Sequence, residues 1–304
     1  MIANFTSLFD LFEAFPDEQA CLDHLRAIRW RDGEFCPLCG GGRVYHFSDC
    51  KTFKCGDCRK RFSIKVGTIF HDTKLPLRKW FMAIWLITNH KKGIASTTLA
   101  RDLKITQKSA WHVLHRLRHA ARTQSFNAQL DQPVESDETY VGGKEKNKHA
   151  SKRIPGSQGG ANKAVVLGIL ERGGELRAEV VSDTTARTVQ GVIRKNVKAG
   201  AVVITDEHRS YKGLGGDYMH VSVNHSAGEY VVDKLIHTNG IESVWALLKR
   251  QIVGIHHFVS PKHLGRYVDE MSWRFNHRDM KAADRMNDLF ESIEGRLTWK
   301  ALIA

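Results

Sequence analysis

The most constraining feature of the sequence is a set of four cysteines arranged as two Cys-x-x-Cys pairs with 15 residues between them. The pairs are Cys36/Cys39 and Cys55/Cys58. Each pair brings two thiolates together in one tight turn, and two such turns close a four-sulfur shell around a zinc ion. Residues 51–54 and 61–64 are expected to form short strands beside the second turn. The spacing therefore predicts a structural zinc ribbon over residues 34–72, with no open coordination position for catalysis.

Other interpretations of the cysteines stay open on the sequence alone. A disulfide framework would fit the same spacing, but the first 15 residues carry acids and lack a basic secretory leader, so we expect a reducing cytoplasmic location. Cys50 could replace one of the four ligands, although its spacing fits less well. Cys21 lies in a stretch of helical character, residues 17–31, and is expected in the core.

The positive charge of the chain is concentrated in one segment. The 304 residues carry a formal net charge of +13, and residues 51–130 contain 17 basic and 3 acidic side chains. Such an excess indicates a polyanionic partner. The best candidate for a membrane span, residues 80–87, is far shorter than the roughly 18 apolar residues that a span needs, so no membrane partner is expected.

A pair of short helices is predicted after the ribbon. A buried helix at 77–89 precedes a second helix at 97–103, and Thr106 is expected to cap a third. The third helix has an apolar stripe at helical spacing, and its opposite face is polar and basic, as a major-groove recognition helix requires. This polar face comprises Gln107, Lys108, His112, His115, Arg118 and His119. We therefore predict a DNA-binding helix-turn-helix over residues 73–125, although any amphipathic helix pair shares the pattern.

The C-terminal half has the pattern of an α/β domain. Strands are expected at residues 133–143, 163–170, 176–182 and 201–205, with a helix at 184–197 before the fourth strand. Asp137 lies on the first strand, Asp206 follows the fourth, and Glu242 begins a later helix.

Convergent carboxylates are the ligands that Mg²⁺ prefers, and two such ions can act on one phosphodiester. Lys249 lies two helical turns after Glu242 and could hold a phosphate nearby. Several alternatives remain, since Glu242 stands three residues after Asn239, as in a helix-capping box. Neighbouring acids are also candidates, namely Glu135, Glu138 and Glu207.

Several ordered blocks of this half are similar to those of ISXO-type insertion-sequence transposases. They are DETYVGG at 137–143, TDEHRSY at 205–211, NHSAGEYV at 224–231, HTNGIESVWALLK at 237–249, KHL at 262–264 and RFNHR at 274–278. The resemblance extends from the ribbon to about residue 278. It implies a multidomain protein with an N-terminal zinc ribbon, a helix-turn-helix segment and a ribonuclease-H-like DDE catalytic domain at 130–280.

The resemblance also implies roles for particular residues. Asp137, Asp206 and Glu242 would bind magnesium, with manganese as a substitute, and Lys249 would contact DNA. The first and fourth strands would be neighbours, which brings Asp137 and Asp206 together. Some relatives place an asparagine at the third position, so Asn239 competes with Glu242 for that role.

A glycine-rich basic loop, residues 142–162, lies between the first two strands. We interpret it as a clamp on the DNA backbone, against the alternative of a solvated flexible loop. Its cations are Lys144, Lys146, Lys148, Lys152 and Arg153. His225 and His237 are further candidates beside the acids. The flanking segments, residues 1–33 and 281–304, are expected to be helical.

The sequence thus predicts a bacterial, nucleoid-associated transposase that binds double-stranded DNA. It would recognise the terminal inverted repeats of its element, cleave phosphodiester bonds and join the 3′-hydroxyl ends to target DNA, as a dimer or larger assembly. The alternative is a decayed, non-catalytic regulator in which the ribbon and helix-turn-helix do all the work.

Overall fold

A computed structural model describes residues 5–122, 128–154, 160, 162–223 and 237–304. The chain forms two compact units, of which the first combines Met1–Arg122 with Asp279–Ala304 and the second is Thr123–Arg278. The C-terminal segment thus belongs to the unit that contains the four cysteines. Across the described ranges, no helix is long and apolar enough to cross a membrane.

The elements follow one another in a regular order. The helices are α1 (Leu8–Ala14), α2 (Glu18–Arg29), α3 (Leu77–Asn89), α4 (Ser96–Leu103), α5 (Gln107–Ala120), α6 (Ala186–Asn196), α7 (Asn239–Gln251), α8 (Pro261–Asn276), α9 (Ala282–Glu291) and α10 (Trp299–Ile303). The strands are β1 (Val44–His46), β2 (Thr52–Cys55), β3 (Arg61–Ser63), β4 (Val134–Val141), β5 (Ala164–Glu171), β6 (Leu176–Val181), β7 (Val202–Thr205) and β8 (Met219–Ser222).

An aromatic core holds the helices of the first unit together. The rings of Phe81 on α3 and Phe290 on α9 lie 4.6 Å apart, and those of Phe15 and Phe81 lie 4.8 Å apart. The Nε2 of His24 on α2 lies 3.1 Å from Oδ1 of Asn287 on α9. The C-terminal segment is therefore a packing element of the first unit.

A small antiparallel sheet, β1-β2-β3, carries the second cysteine pair. Phe53 and Phe62 face each other across β2 and β3, and both are buried. Trp30, the residue directly after α2, packs edge-on against Phe53 at 4.8 Å. Aromatic packing thus supports a sheet whose strands have only three or four residues each.

The second unit is a mixed five-stranded sheet in the order β6-β5-β4-β7-β8. Strands β4, β5 and β6 are antiparallel neighbours, whereas β7 pairs parallel with both β4 and β8. One face packs against α6 through Val189 and Ile193. The other face packs against α7 and α8, and it includes Trp245 and Val268. The helices on both faces explain why the interior strand β5 is apolar over nearly its whole length.

Candidate functional site

The four cysteines of the two pairs form a compact cluster. Their Sγ atoms all lie within 4.8 Å of one another. Sγ of Cys36 lies 3.8 Å from that of Cys58, and Sγ of Cys39 lies 3.6 Å from that of Cys55. A tetrahedral zinc site with bonds of about 2.3 Å has sulfur–sulfur edges of about 3.8 Å. The donor set and its spacing therefore fit zinc.

Local backbone geometry prepares these thiols for metal binding. The amide N–H groups of Asp57 and Cys58 donate to Sγ of Cys55 at 3.3 and 3.5 Å. The Cys58 amide is the main cause that lowers the pKa of the Cys55 thiol to about 7. Gly40 has a φ of +78°, a left-handed conformation that favours glycine directly after the first pair.

The two remaining cysteines lie apart from the cluster. Cys21 is completely buried in α2, and burial raises the pKa of its thiol to about 12, which agrees with the predicted core position. Cys50 is exposed, and its Sγ lies 3.8 Å from the carbonyl oxygen of Ser48. The four-cysteine group does not include Cys50, so its proposed substitution as a ligand is wrong.

The parallel pairing of β4 with β7 brings the first two candidate acids to one place. Glu135 pairs with Ile204, so Asp137 and Asp206 each lie two residues further along neighbouring parallel strands. Burial raises the pKa of Asp137 to about 7, and the charges of Glu138 and Asp206 add to the increase. Crowded carboxylates of this kind are stabilised by a bound cation, and the donor set fits a hard divalent ion.

Trp245 orients the Asp137 carboxylate. Its indole Nε1–H donates to Oδ2 of Asp137 at 3.0 Å. Gly168 pairs with Asp137 across β4 and β5, and a Cβ at Gly168 would lie 2.5 Å from the Trp245 ring. Because Gly168 has no side chain, the Trp245 indole can lie over it and reach Asp137. In the sequence Trp245 stands at helical spacing from Ile241 and Leu248, which favours an apolar role, and its Nε1–H was the available signal for this polar role.

The acids next to Asp137 have other partners. Glu138 projects from the opposite face of β4, where the Tyr211 hydroxyl donates to its Oε2 at 2.7 Å. Burial raises the pKa of Glu138. Glu135 is 1% exposed and accepts from the backbone N–H of Ile241 at 2.9 Å and from Nε of Arg172 at 3.2 Å. Both carboxylates are therefore engaged by the protein itself.

Glu242 lies in the first turn of α7 and is exposed. The Thr238 hydroxyl donates to Oε1 of Glu242 at 3.1 Å, and Thr238 stands at the N-cap. Asn239 is the first helical residue, so the alternative of a capping box between Asn239 and Glu242 is wrong. Lys249 is exposed two turns further along α7.

The three candidate acids do not form a finished metal cage. Within the described residues, the four cysteines are the one group of three or more His, Cys, Asp or Glu side chains whose ligand atoms are close enough to share an ion. The fold thus places Asp137 beside Asp206, and it places Glu242 in the first turn of α7, the helix that packs on this sheet. The 224–231 block, with His225, lies outside the described residues.

The polar face of α5 is less accessible than its sequence predicts. His115 is completely buried and Arg118 is 1% exposed, so the expected exposed face is wrong at these two positions. His112 is half-buried, and its ring lies 5.4 Å from that of Trp299. Arg116, also on α5, donates to the carbonyl oxygens of Leu297 and Ile69. The C-terminal segment covers the middle of α5, which α5 alone could not reveal.

The first turn of α5 remains open to solvent. Gln107 and Lys108 are exposed, and Thr106 caps the helix by accepting from the Ser109 N–H at 3.2 Å, as predicted. Gln107 donates through Nε2 to the Ser96 hydroxyl at 2.9 Å, which joins the starts of α4 and α5.

The basic loop has more local order than a structureless insert. Short 3₁₀ turns cover Glu145–Asn147 and Ala150–Lys152. Lys148 pairs with Glu145 at 2.6 Å, and Arg153 donates to the carbonyl oxygens of Lys148 and Lys146. Lys144 and Lys146 are exposed. The described part of the loop therefore has local turns and internal contacts, which are compatible with either interpretation of it. Residues 155–159 and 161, and the side chain of Lys152, lie outside what the structure describes.

Comparison with known families agrees with this arrangement. Residues 129–276 match the ISXO2-like transposase domain, and residues 16–61 match the transposase zinc-ribbon domain of the same IS1595 group. The chain belongs to the IS1595-type transposases. This confirms the resemblance carried by the sequence blocks, and it supports zinc as the ion of the four-cysteine site of this transposase-family chain.

Individual relatives are more distant. An uncharacterized protein in transposable element ISH50 of Halobacterium salinarum is 28% identical over 270 residues, which cover 84% of this chain and 90% of the relative. The pre-cleavage Mos1 transpososome is 12% identical, with a TM-score of 0.28 over 72% of this chain and 80% of that one. The Mos1 mariner paired end complex with Mn is 12% identical, with a TM-score of 0.20 over 64% and 76%. Scores this low do not establish a shared fold.

Proposed function

We propose that this chain is a metal-dependent DNA transposase. It binds the terminal inverted repeats of its insertion sequence, hydrolyses a phosphodiester bond and joins the freed 3′-hydroxyl to target DNA. The observation that carries the proposal is the parallel pairing of β4 with β7, which puts Asp137 beside Asp206 inside a transposase-family domain. The strand order, with three antiparallel strands followed by two parallel ones, supports a ribonuclease-H-like fold for this unit.

The carboxylates of Asp137, Asp206 and Glu242 would hold two magnesium or manganese ions. When bound, such ions activate the attacking oxygen and stabilise the leaving oxygen of an in-line displacement at phosphorus. Trp245 orients the Asp137 carboxylate through its Nε1–H. The Lys249 ammonium lies two turns after Glu242 on α7 and holds a phosphate of the bound strand. Because hydrolysis and joining are both displacements at phosphorus, one site serves both.

DNA recognition is proposed for the first unit. The zinc ribbon and the α4–α5 pair, acting as a helix-turn-helix, grip the transposon end. The exposed first turn of α5 presents Gln107 and Lys108, and recognition helices use their N-terminal residues to contact base edges. His112 lies at the edge of this surface, whereas the burial of His115 and Arg118 argues for a supporting role.

The basic loop is proposed to clamp the DNA backbone beside the acids. The exposed side chains of Lys144 and Lys146 are its contact groups, because Lys148 and Arg153 already have partners within the loop. Two ends must be cut and joined, so we propose a homodimer or larger assembly on DNA, associated with the bacterial nucleoid.

The Asp137→Asn variant tests the catalytic proposal. End cleavage should be abolished, because the variant removes one charged ligand, while binding of a labelled inverted-repeat duplex should persist. Strand-transfer products from pre-cut ends separate a transposase from a simple nuclease. Survival of cleavage in the variant would disprove the metal assignment.

A non-catalytic DNA-binding regulator is the second candidate. The observation that favours it is that, within the described residues, Asp137, Asp206 and Glu242 do not form a group whose ligand atoms are close enough to share an ion. A regulator would bind the ends but give no cleavage with wild-type protein in magnesium or manganese, so the wild-type arm of the same experiment decides between the two.

A further inference from the structure

We propose that Glu135 is a positioning residue that anchors the first turn of α7 to β4 and thereby sets where Glu242 lies relative to Asp137. The proposal rests on the proposed transposase function and assigns Glu135 a role other than that of a metal ligand. It also explains why a fully buried carboxylate stands two residues before the first catalytic acid.

Both oxygens of the Glu135 carboxylate are held by the protein. Oε2 accepts the backbone N–H of Ile241 at 2.9 Å, and Oε1 accepts Nε of Arg172 at 3.2 Å. Nδ1 of His237 lies 3.4 Å from Oε1. Ile241 is the third residue of α7, whose N–H has no partner within the helix. The side chain that caps a helix N-terminus is usually close in sequence. Here Glu135 caps α7 from strand β4.

Arg172 ties the segment before α7 to the same carboxylate. Its Nη2 donates to the carbonyl oxygen of His237 at 3.0 Å while its Nε binds Glu135. Glu135, Arg172 and His237 all line one cavity of about 310 Å³. The chain is therefore fixed on both sides of the N-cap, at residues 237 and 241.

Gly240 lets the carboxylate approach the helix. A Cβ at Gly240 would lie 2.7 Å from Oε2 of Glu135, closer than real Cβ contacts occur. The glycine in this block is thus explained by the space that Glu135 occupies. A methyl group at this position would push α7 away from β4 while leaving the Glu135 side chain intact.

A second contact between α7 and β4 links the Glu135 anchor to the candidate metal site. Glu135 and Asp137 share one face of β4 and are roughly 6.8 Å apart along the strand. Ile241 and Trp245 are about 6 Å apart along α7, and they bond to Glu135 and Asp137, respectively. Glu242 lies between these two attachment points. Releasing the first contact leaves the Trp245 contact as the remaining hydrogen bond from α7 to β4 among those described.

The test measures Mn²⁺ binding by electron paramagnetic resonance on the full-length, zinc-loaded protein. The Asp137→Asn variant measures the Mn²⁺ that binds at other sites. Glu135→Ala and Gly240→Ala attack the same contact from opposite sides. Each should weaken Mn²⁺ binding about tenfold, as loss of a group that orients a ligand does. Each should also speed hydrogen exchange of the amides at residues 239–243.

Two controls separate positioning from general stability. Glu135→Gln keeps an oxygen that can accept from Ile241, so it should recover part of the Mn²⁺ affinity that Glu135→Ala loses. Arg177→Ala removes a buried arginine that donates to the carbonyl oxygen of Asn196 on the α6 side of the sheet. It should lower the unfolding midpoint without changing Mn²⁺ affinity or exchange at residues 239–243.

The outcomes distinguish this proposal from the function on which it rests. Wild-type Mn²⁺ affinity and slow exchange in both Glu135→Ala and Gly240→Ala would overturn the positioning role, even if Asp137→Asn abolishes cleavage. Cleavage that survives Asp137→Asn would overturn the proposed function. If Glu135→Ala does not fold, Gly240→Ala and Glu135→Gln carry the same comparison.

Discussion

The two candidate metal sites are built in opposite ways. The four cysteines come from two turns within residues 36–58, and their sulfur atoms already lie within 4.8 Å of one another. The candidate carboxylates come from β4, the end of β7 and α7, separated by up to about a hundred residues, and within the described residues they form no group close enough to share an ion. Thiols placed by local turns need little help from the rest of the fold, whereas carboxylates that repel one another depend on tertiary contacts.

Loss of zinc should give the largest effect. Cys36→Ser removes one of four ligands, and structural zinc contributes about 10–16 kcal/mol of apparent binding energy in zinc-finger peptides. We expect zinc release, loss of the β1–β3 sheet and at least a tenfold weaker end binding, measured by metal analysis and gel shift. Cys50→Ser is the matched control. It should leave the zinc content, the β1–β3 sheet and end binding unchanged, because Cys50 lies outside the cluster. Full zinc content in Cys36→Ser would contradict the assignment.

Without added magnesium, the stability of the protein should depend on pH through the buried Asp137 carboxyl group. The pKa of Asp137 is raised from 3.8 to about 7 by burial, so the folded state binds more protons than the unfolded state between these values. Wild-type stability should therefore fall relative to Asp137→Asn as pH rises from about 4 to 7, and stay lower above 7. Thermal unfolding of zinc-loaded protein measures this, with the exposed Asp131→Asn as control. A constant difference across this range would argue against the buried carboxylate.

Magnesium should reverse part of that deficit. A ligand that binds only the folded state at about ten times its Kd adds about 1.4 kcal/mol. Magnesium should raise the unfolding midpoint of the wild-type protein at pH 8 and leave that of Asp137→Asn nearly unchanged. An equal rise in both proteins would show that the ion binds elsewhere.

The same contrast between local and tertiary placement applies to α5, with a smaller effect. Lys108→Ala should lower the slope of log binding constant against log salt by about 1, because one phosphate contact is lost. Arg118→Ala should lower the unfolding midpoint and leave that slope unchanged, because its side chain is buried. Salt titrations of end binding and thermal unfolding of both variants check this. A lower slope for Arg118→Ala would restore the original prediction for that residue.

Local sequence signals predicted much of the fold. The helix predicted at 77–89 is α3, Leu77–Asn89, and the predicted Thr106 cap is present because a side-chain oxygen can satisfy a nearby N–H without tertiary help. Four strands of the second unit were predicted within one or two residues, whereas the edge strand β8 was not predicted. The pairing of β4 with β7 came from the family resemblance, since strand order is not a local property.

The sequence by itself determined the four zinc ligands, because two short turns bring them together, and the family, because its blocks are ordered along the chain. The tertiary structure alone decided which polar residues are accessible. His115 and Arg118 are buried, and Arg116 between them donates to the carbonyl oxygen of Leu297, which is 181 residues away in the chain. Glu135, an apparent alternative to Asp137, is engaged by Arg172 and Ile241. Periodicity specifies a face of a helix or strand, but what packs against that face depends on distant parts of the chain.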